Sequence, residues 1–141
     1  MIVRDIQRIQ NELRRYMRYF VPPTEESEMI CAALTEDEPA VKCRVVIDDR
    51  GICASISFMV YEEEKRIHIF NLGSMVKGAG SLLVAGVKRP ARRKGYKITV
   101  SAMPNSLPFW HKQGFQPTGE KPSSLISLEW SWTPVRLRRQ E

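Results

Sequence analysis

One stretch of this 141-residue chain constrains its fold more than any other, because a strand pattern runs directly into a glycine-rich turn. Residues Arg66–Leu72 alternate and are rich in branched and aromatic side chains, which predicts a β-strand. The following Gly73–Gly80 contains three glycines, which permit positive φ angles and close backbone approach. A predicted helix then begins at Ser81. The first amides of a helix are unpaired and its dipole is positive there, so this junction predicts an anion site suited to phosphate.

The glycine turn matches neither of the common nucleotide-binding fingerprints. A Walker loop ends in Gly-Lys-Ser or Gly-Lys-Thr, whereas Lys77 here precedes the pair Gly78 and Gly80. A dinucleotide fingerprint needs a third glycine and an acidic residue about twenty positions further on, and neither is present. A Gly-x-Gly pair alone is equally compatible with a simple turn. The residues after the turn must therefore decide what it binds.

Three further motifs follow the turn in a recognisable order. The predicted helix ends in Arg92-Arg93-Lys94-Gly95, a predicted strand covers Lys97–Ala102, and Asn105–Phe115 reads Asn-Ser-Leu-Pro-Phe-Trp-His-Lys-Gln-Gly-Phe. Together with the Lys-Gly-Ala-Gly-Ser-Leu-Leu turn, these motifs resemble those of the GNAT superfamily of acyl-CoA-dependent N-acetyltransferases. The resemblance covers about residues 66–118, which it identifies as an acetyl-CoA-binding core.

The resemblance implies a mixed α/β fold with a mostly antiparallel central sheet flanked by helices. The sheet would splay between the glycine-turn strand and the next strand, with the pantetheine arm of acetyl-CoA lying in the gap. Main-chain groups at the strand end would hold the pantetheine and polarise the acetyl carbonyl, turn amides would hold the pyrophosphate, and an aromatic face would line the other side. The residues implied are Leu72, Gly73 and Ser74 for the strand end, Val76, Lys77, Gly78, Ala79, Gly80 and Ser81 for the turn, and Asn105, Phe109 and Trp110 for the opposite side.

The chain departs from the superfamily pattern at three places. Met75 stands where an arginine or glutamine is usual, which should weaken phosphate binding without removing it, because the turn acts through main-chain amides. Trp110 stands where a tyrosine often reprotonates the thiolate, and an indole gives up no proton near neutral pH. Gly86 and Pro90 interrupt the helix after the turn, and an interior proline costs about 3 kcal/mol, so we expect a kink there.

Direct transfer to an amine needs a base, because the nucleophile must be neutral. His68 is the first candidate, since it lies on the strand that leads into the acetyl-holding segment and its usual pKa suits the task. It is equally compatible with a structural histidine. Glu64 is a second candidate from the rim, although three consecutive glutamates in a turn are commonly just exposed. Ser101 and His111 are weaker candidates for proton handling near the thiol.

The rest of the chain fits one domain covering residues 1–141. Apolar residues at spacings of three and four predict an amphipathic helix over residues 1–20, with an arginine-rich opposite face. Residues 40–47 and 52–61 read as a hairpin around Asp48–Gly51, and residues 125–132 read as a closing strand. A basic tail occupies residues 133–141. The apolar stripe of the first helix consists of Ile2, Ile6, Ile9, Leu13, Met17 and Phe20.

Composition narrows the class of protein. No apolar run approaches the roughly 20 residues that a membrane-spanning helix needs. The first residues lack the charged and then apolar segments of a signal peptide. Cys31, Cys43 and Cys53 show neither metal-ligand nor disulfide spacing, so we expect no metal and a cytoplasmic location. Residues 24–64 hold eleven acidic and three basic side chains, whereas residues 65–141 hold fourteen basic and three acidic ones. The basic half would attract the phosphates of coenzyme A, and the acidic half would suit a cationic amine.

The sequence therefore predicts an N-acetyltransferase that moves an acetyl group from acetyl-CoA to a primary amine by direct attack. The acceptor would be a small amine, a protein or peptide amine, or an aminoacyl-tRNA, and the protein would be a monomer or homodimer. Two other interpretations stay open. One is a catalytically reduced module that binds acyl-CoA, which Met75 and Trp110 motivate. The other is a basic regulator that binds RNA or protein through its arginine-rich helix and tail.

Overall fold

The computed structural model describes residues 2–6, 40–120 and 124–132 of the chain. Within these ranges, seven strands form one sheet, and one face of that sheet is covered by the longer of two helices. The elements are β1 (Ile2–Ile6), β2 (Lys42–Asp48), β3 (Gly51–Tyr61), β4 (Arg66–Ser74), α1 (Ala79–Lys94), β5 (Lys97–Ala102), a 3₁₀ turn (Pro104–Ser106), α2 (Leu107–Lys112), β6 (Gln116–Pro117) and β7 (Ile126–Trp130).

The sheet has the strand order β1-β2-β3-β4-β5-β7-β6. In the described part of the chain β4 and β5 run parallel, and the other neighbouring strands are antiparallel. The predicted mixed, mostly antiparallel sheet is therefore confirmed. No helix in the described ranges is long and apolar enough to cross a membrane.

The middle of the sheet forms the core. Every residue of β3 from Ile52 to Phe58 is at most 2% exposed, as expected for a strand that has neighbours on both edges and is covered on both faces. The turn before β3 is closed by Asp48, whose carboxylate accepts a hydrogen bond from the Arg50 amide at 2.8 Å. Gly51 follows with a φ of 129°, which an L-residue rarely adopts. The predicted hairpin is present.

Helix α1 buries one apolar stripe on this sheet. The residues of the stripe recur at helical spacing and pack on branched side chains of β3, β4 and β5. Each large apolar side chain that is fully buried stabilises the fold by roughly 1.5–3 kcal/mol. The helix ends where Gly95 adopts a left-handed conformation with a φ of 72°, and the Ala91 carbonyl accepts its amide. The buried α1 residues are Ala79, Gly80, Leu83, Val84, Val87 and Ala91.

Helix α1 continues without a break through Gly86 and Pro90, where the sequence predicts a kink. Proline has no amide hydrogen, so it cannot donate to the carbonyl four residues earlier, which is that of Gly86. Arg44 of β2 supplies a replacement donor, because its Nη1 lies 3.1 Å from the Gly86 oxygen. A Cβ on Gly86 would lie 3.4 Å from the same nitrogen. The glycine therefore leaves room for the side chain that compensates for the proline.

The predicted N-terminal helix is wrong at its start, since Ile2–Ile6 forms an edge strand paired antiparallel with β2. Ile2 and Ile6 are four residues apart, a spacing that satisfies both a helical turn and the two-residue repeat of a strand. Pairing with β2 and the 2.7 Å ion pair between Asp5 and Arg44 favour the strand. The rest of that prediction, residues 7–20, and the basic tail lie outside the described residues.

The Arg44 contact gives a stability prediction. The substitution Arg44→Met should destabilise the protein more in the natural chain than in a Pro90→Ala background, because the new alanine amide can satisfy the Gly86 carbonyl. We expect a coupling of about 1.5–3 kcal/mol in the free energy of unfolding, as for a hydrogen bond from a charged donor. Urea unfolding of the four proteins of this double-mutant cycle measures it.

The matched control is Asp5→Asn, which removes the ion pair with Arg44 but leaves the Gly86 carbonyl bonded. Asp5→Asn and Pro90→Ala should be additive. Additivity of Arg44→Met with Pro90→Ala would instead mean that the hydrogen bond to Gly86 does not stabilise the helix.

Candidate functional site

A groove opens where β4 and β5 part. The two strands are paired from Arg66 opposite Lys97 to Ile69 opposite Val100, and the pairing stops there although β4 continues to Ser74. The space between the separated ends measures about 270 Å³. It is lined by Ile69, Phe70, Leu72, Gly73, Ser74, Gly80, Val100, Ser101, Ala102, Met103, Asn105, Ser106, Phe109 and Trp110.

A β-bulge lies at the point where the two strands separate. Ser57 of β3 faces Asn71, but the next residue, Phe58, faces Ile69, so Phe70 is an extra residue in β4. A bulge bends its strand and increases the local twist. Because the extra residue follows immediately after the last pair with β5, the bend turns the remaining part of β4 away from β5 and opens the groove.

The bulged strand presents backbone groups to the groove. The Met75 amide donates to the Cys53 carbonyl at 2.8 Å, so Met75 faces β3. Along an antiparallel pair, every second residue directs its amide and carbonyl groups to the same neighbouring strand. Gly73 is two residues before Met75, so its main-chain groups also face β3. The amide and carbonyl groups of Leu72 and Ser74 therefore face the groove, where β5 no longer pairs with them. Of the three predicted strand-end residues, two present their main chain to the groove.

The predicted anion cradle lies at the N-terminus of α1. Gly78 is the residue before the helix and has a left-handed φ of 89°, with no side-chain cap. Within the described residues, no backbone carbonyl accepts from the amides of Gly80 and Ser81, whereas the Ala79 amide donates to the Val76 carbonyl at 3.2 Å. Among the six predicted residues, only Ala79 has an amide bonded to a described backbone carbonyl, so the cradle offers free amides both in the turn and on the first turn of the helix.

The cradle is packed closely on one side and open on the other. A Cβ on Gly80 would lie 3.4 Å from the Phe109 ring and 3.6 Å from the Ser74 Cβ. A Cβ on Gly78 would have nothing within 4 Å. The Gln113 side chain also ties α2 to this turn by donating to the Ser81 hydroxyl at 3.0 Å. The open side is where an anion can approach the amides.

Helix α2 supplies the opposite wall of the groove. Trp110 is only 4% exposed and packs edge to face between Phe109 and Phe115, with ring centroids 5.1 and 4.9 Å apart. It thus serves the core and the groove wall together. Asn105 lies on the 3₁₀ turn that leads into α2 and also lines the groove.

His68 lies beside the groove, outside its immediate lining. Its Nδ1 is 2.7 Å from the Thr99 hydroxyl, which also accepts a hydrogen bond from Arg66 Nη1 at 3.1 Å. Burial, and secondarily the Arg66 charge, lowers the pKa of His68 from its ordinary value, so the neutral ring is favoured. The ring contacts Phe70 edge to face at 5.0 Å, which connects it to the groove.

The structure does not bring Glu64 to the groove. Its carboxylate accepts from Arg66 Nε at 2.7 Å in the turn before β4. Leu72 is six residues beyond Arg66, and a strand advances about 3.3 Å per residue, so the two ends are roughly 20 Å apart. The placement gives no support to Glu64 as a base at the rim. It acts here as the partner of Arg66.

Apart from Ser101, sequence reasoning missed the β5 wall of the groove, and it missed the contacts of His68. Val100 and Ala102 could have been assigned to a buried face from the alternation in Lys97–Ala102, since both are at most 5% exposed. No pattern in the sequence predicts the bulge at Phe70. The Arg66, Thr99 and His68 contacts depend on the register of two strands that are about thirty residues apart in the chain.

Comparison with known proteins reveals the fold. No family model and no curated protein sequence matches the chain. Among solved structures, GCN5 from Tetrahymena superposes with a TM-score of 0.66 at 16% identity, covering 96% of this chain and 98% of that one. An aminoglycoside 6'-N-acetyltransferase from Enterococcus faecium gives 0.66 at 13% identity, covering 95% and 98%.

A third solved structure, the PaiA N-acetyltransferase from Thermoplasma acidophilum in complex with coenzyme A, gives a TM-score of 0.62 at 13% identity, covering 94% and 100%. The chain therefore has the GNAT acyl-CoA N-acyltransferase fold, as its motifs implied.

The environment of His68 predicts a pH dependence. Its ring signal in proton NMR should titrate below the ordinary value of 6.5. Between the lowered value and 6.5 the unfolded chain binds more protons than the folded one, so the free energy of unfolding should fall as pH drops through this window. His68→Asn assigns the signal and should flatten this part of the pH profile. A ring that titrates at or above 6.5 would contradict the burial of His68.

Proposed function

We propose that the protein transfers an acetyl group from acetyl-CoA to a primary amine by direct attack. The observation that carries the proposal is the continuous path from the split between β4 and β5 to the unpaired amides at the start of α1. One end of this path is an apolar groove with free strand-edge groups, and the other is an anion cradle. A pantetheine arm with a pyrophosphate at its end has this same order of chemistry.

The cradle would bind the pyrophosphate through main-chain groups. The free amides of Gly80 and Ser81 point out of the first turn of α1, where the helix dipole is positive. Lys77 adds a nearby positive charge. The left-handed Gly78 brings the backbone close to the ligand without a Cβ in the way. The Met75 amide is bonded to β3, so it does not take part in this role.

The free edge of β4 would hold the pantetheine and the acetyl group. Main-chain groups of Leu72 and Ser74 face the groove and could pair with the pantetheine amides as a neighbouring strand would. The Leu72 amide would then donate to the thioester carbonyl and stabilise the negative charge that develops on its oxygen. Phe109 and Trp110 close the opposite wall and exclude water.

The transfer step needs one proton removed and one supplied. The amine nitrogen forms a bond to the carbonyl carbon, the C–S bond breaks, and sulfur leaves with the electron pair. Neutral His68 can accept the proton lost by nitrogen, through water because it stands one residue outside the groove lining. The Trp110 indole gives up no proton, so the thiolate takes its proton from water, directly or relayed by the Ser101 hydroxyl, which lines the groove and receives a proton from water as it gives one up.

The proposal places the whole activity in one cytoplasmic domain, residues 1–141, that acts as a monomer or homodimer without a metal. Several of the similar solved structures are acetyltransferases, two of them in complex with coenzyme A. A catalytically reduced acyl-CoA-binding module is the second candidate, because Trp110 occupies the position of a proton donor and is almost wholly buried. Tight binding without turnover over a broad panel of amines would favour that module.

The cofactor prediction is tested with two matched glycine substitutions. Gly78 and Gly95 are both left-handed, both have open space around a new Cβ, and they flank opposite ends of α1. Gly78→Glu places a carboxylate in the cradle and should weaken acetyl-CoA binding by roughly tenfold or more, as one repelling charge can. Gly95→Glu carries the same backbone strain and should bind within about twofold of the natural protein, a difference of about 0.4 kcal/mol.

Calorimetric titration with acetyl-CoA and with coenzyme A provides the measurement, and thermal unfolding checks that both variants are folded. Equal affinity in Gly78→Glu and the natural protein would show that the start of α1 is not the phosphate site. No binding by the folded natural protein would end the transferase proposal.

A further inference from the structure

We propose that the acceptor is a weakly basic primary amine that carries an apolar group next to the amine. An α-amino group beside an apolar side chain has this chemistry, whether in a peptide or in a free amino-acid amide. The inference rests on the proposed acetyl transfer and names the substrate class of that same site.

The mouth of the groove exposes two large apolar side chains. Phe70, the bulged residue of β4, is 37% exposed, and Met103, the residue after β5, is 42% exposed. Both line the groove, whereas most of the other large apolar side chains in the described residues are buried. An acceptor with an apolar substituent would cover these two surfaces as its nitrogen reaches the acetyl group, and each covered side chain favours binding.

The described lining of the groove contains no charged side chain. An ammonium ion is strongly hydrated and loses that hydration in such a site unless a carboxylate replaces it. Beyond the lining, the Arg66 guanidinium contacts the hydroxyl that His68 also contacts. Glu64 pairs with Arg66 in the turn before β4 and does not reach the groove. Within the described residues, the groove lining therefore favours the uncharged form of an amine over its cation.

The difference in charge between amine classes is large. An α-amino group has an ordinary pKa near 7.7–8.0 and a lysine ε-amino group near 10.4, so at pH 7 the uncharged fraction differs by roughly several hundredfold. His68 is a weak base in this setting, because burial and Arg66 lower its pKa. It can take a proton from an α-ammonium group far more readily than from an alkylammonium ion, because the α-ammonium group is the stronger acid.

The reaction balances with either amine class. The nitrogen lone pair forms the C–N bond, the C–S bond breaks with its electrons on sulfur, one N–H proton goes to His68 or water, and one proton returns to the thiolate. The products are an N-acetyl amide and free coenzyme A. The amine classes therefore differ only in how the nitrogen becomes neutral and what its substituent contacts.

The experiment measures coenzyme A release with an acetyl-CoA-saturated protein and five acceptors. Phenylalanine amide and the peptide Phe-Ala-Ala amide present an α-amine beside an apolar side chain, as a small molecule and as a peptide. Nα-acetyl-lysine amide, spermidine and kanamycin present high-pKa or multiply charged amines. We expect kcat/KM to be at least tenfold higher for one or both of the first two, and the ratio between those two identifies the source of the amine.

Two variants test the groove wall itself. Phe70→Ala should lower kcat/KM for the apolar amines roughly tenfold or more, mainly through KM, because a large contact surface is lost. Met103→Glu puts a carboxylate at the mouth and should shift the preference toward Nα-acetyl-lysine amide. The matched control is Val3→Glu, which adds the same charge at a residue of similar exposure, 43%, on the edge strand β1, and should leave the preference unchanged.

The outcomes separate the two proposals. Acetyl-CoA binding with a preference for spermidine, kanamycin or the lysine derivative overturns this inference and leaves acetyl transfer standing. Binding without turnover of any acceptor also overturns it and favours the acyl-CoA-binding module. A folded protein that does not bind acetyl-CoA removes both. An α-amine preference that Phe70→Ala weakens and Val3→Glu does not alter supports the inference.

Discussion

One extra residue in β4 determines how the rest of this molecule is used. Phe70 has no partner of its own in β3, and the strand bends there, immediately after its last pair with β5. Without the bulge, β5 would continue along β4, and the main-chain groups of Leu72 and Ser74 would be consumed in the sheet. With it, those groups face an open groove. A local irregularity in one strand thus leaves one end of the parallel β4–β5 pair open as a groove. The free energy lost with the missing strand pairing is offset by the surrounding core.

That support comes from α1 and the strands beneath it. The helix is anchored by its apolar stripe and by Arg44, which replaces the hydrogen bond that Pro90 cannot make to Gly86. Firm anchoring matters for function because the start of this helix carries the free amides. A helix that shifted on the sheet would move the cradle relative to the end of β4. The two ends of the proposed acetyl-CoA path are held together by the same core, so stability and binding geometry are linked.

The chemistry of the groove is made from main-chain groups and neutral side chains. Ionisable groups stand back from it: His68 is one step outside, and Arg66 and Glu64 neutralise each other at the far end of β4. This arrangement is compatible with acyl transfer, in which a polarised carbonyl and a neutral nucleophile meet away from bulk water. Under the proposal, the apolar residues Phe70 and Met103 contribute to the choice of acceptor as much as any base does.

The sequence by itself determined those features that depend on neighbours in the chain. The glycine turn, the strand before it, the helix after it and the strand Lys97–Ala102 follow from local periodicity and backbone freedom, and they were predicted correctly. The motif order also indicated the fold. Only the tertiary structure decided the bulge at Phe70, the separation of Glu64 from the groove and the strand at Ile2–Ile6. The physical reason is that a strand's register and partners are set by residues distant in sequence, and Ile2 and Ile6 satisfy a helix and a strand equally until β2 pairs with them.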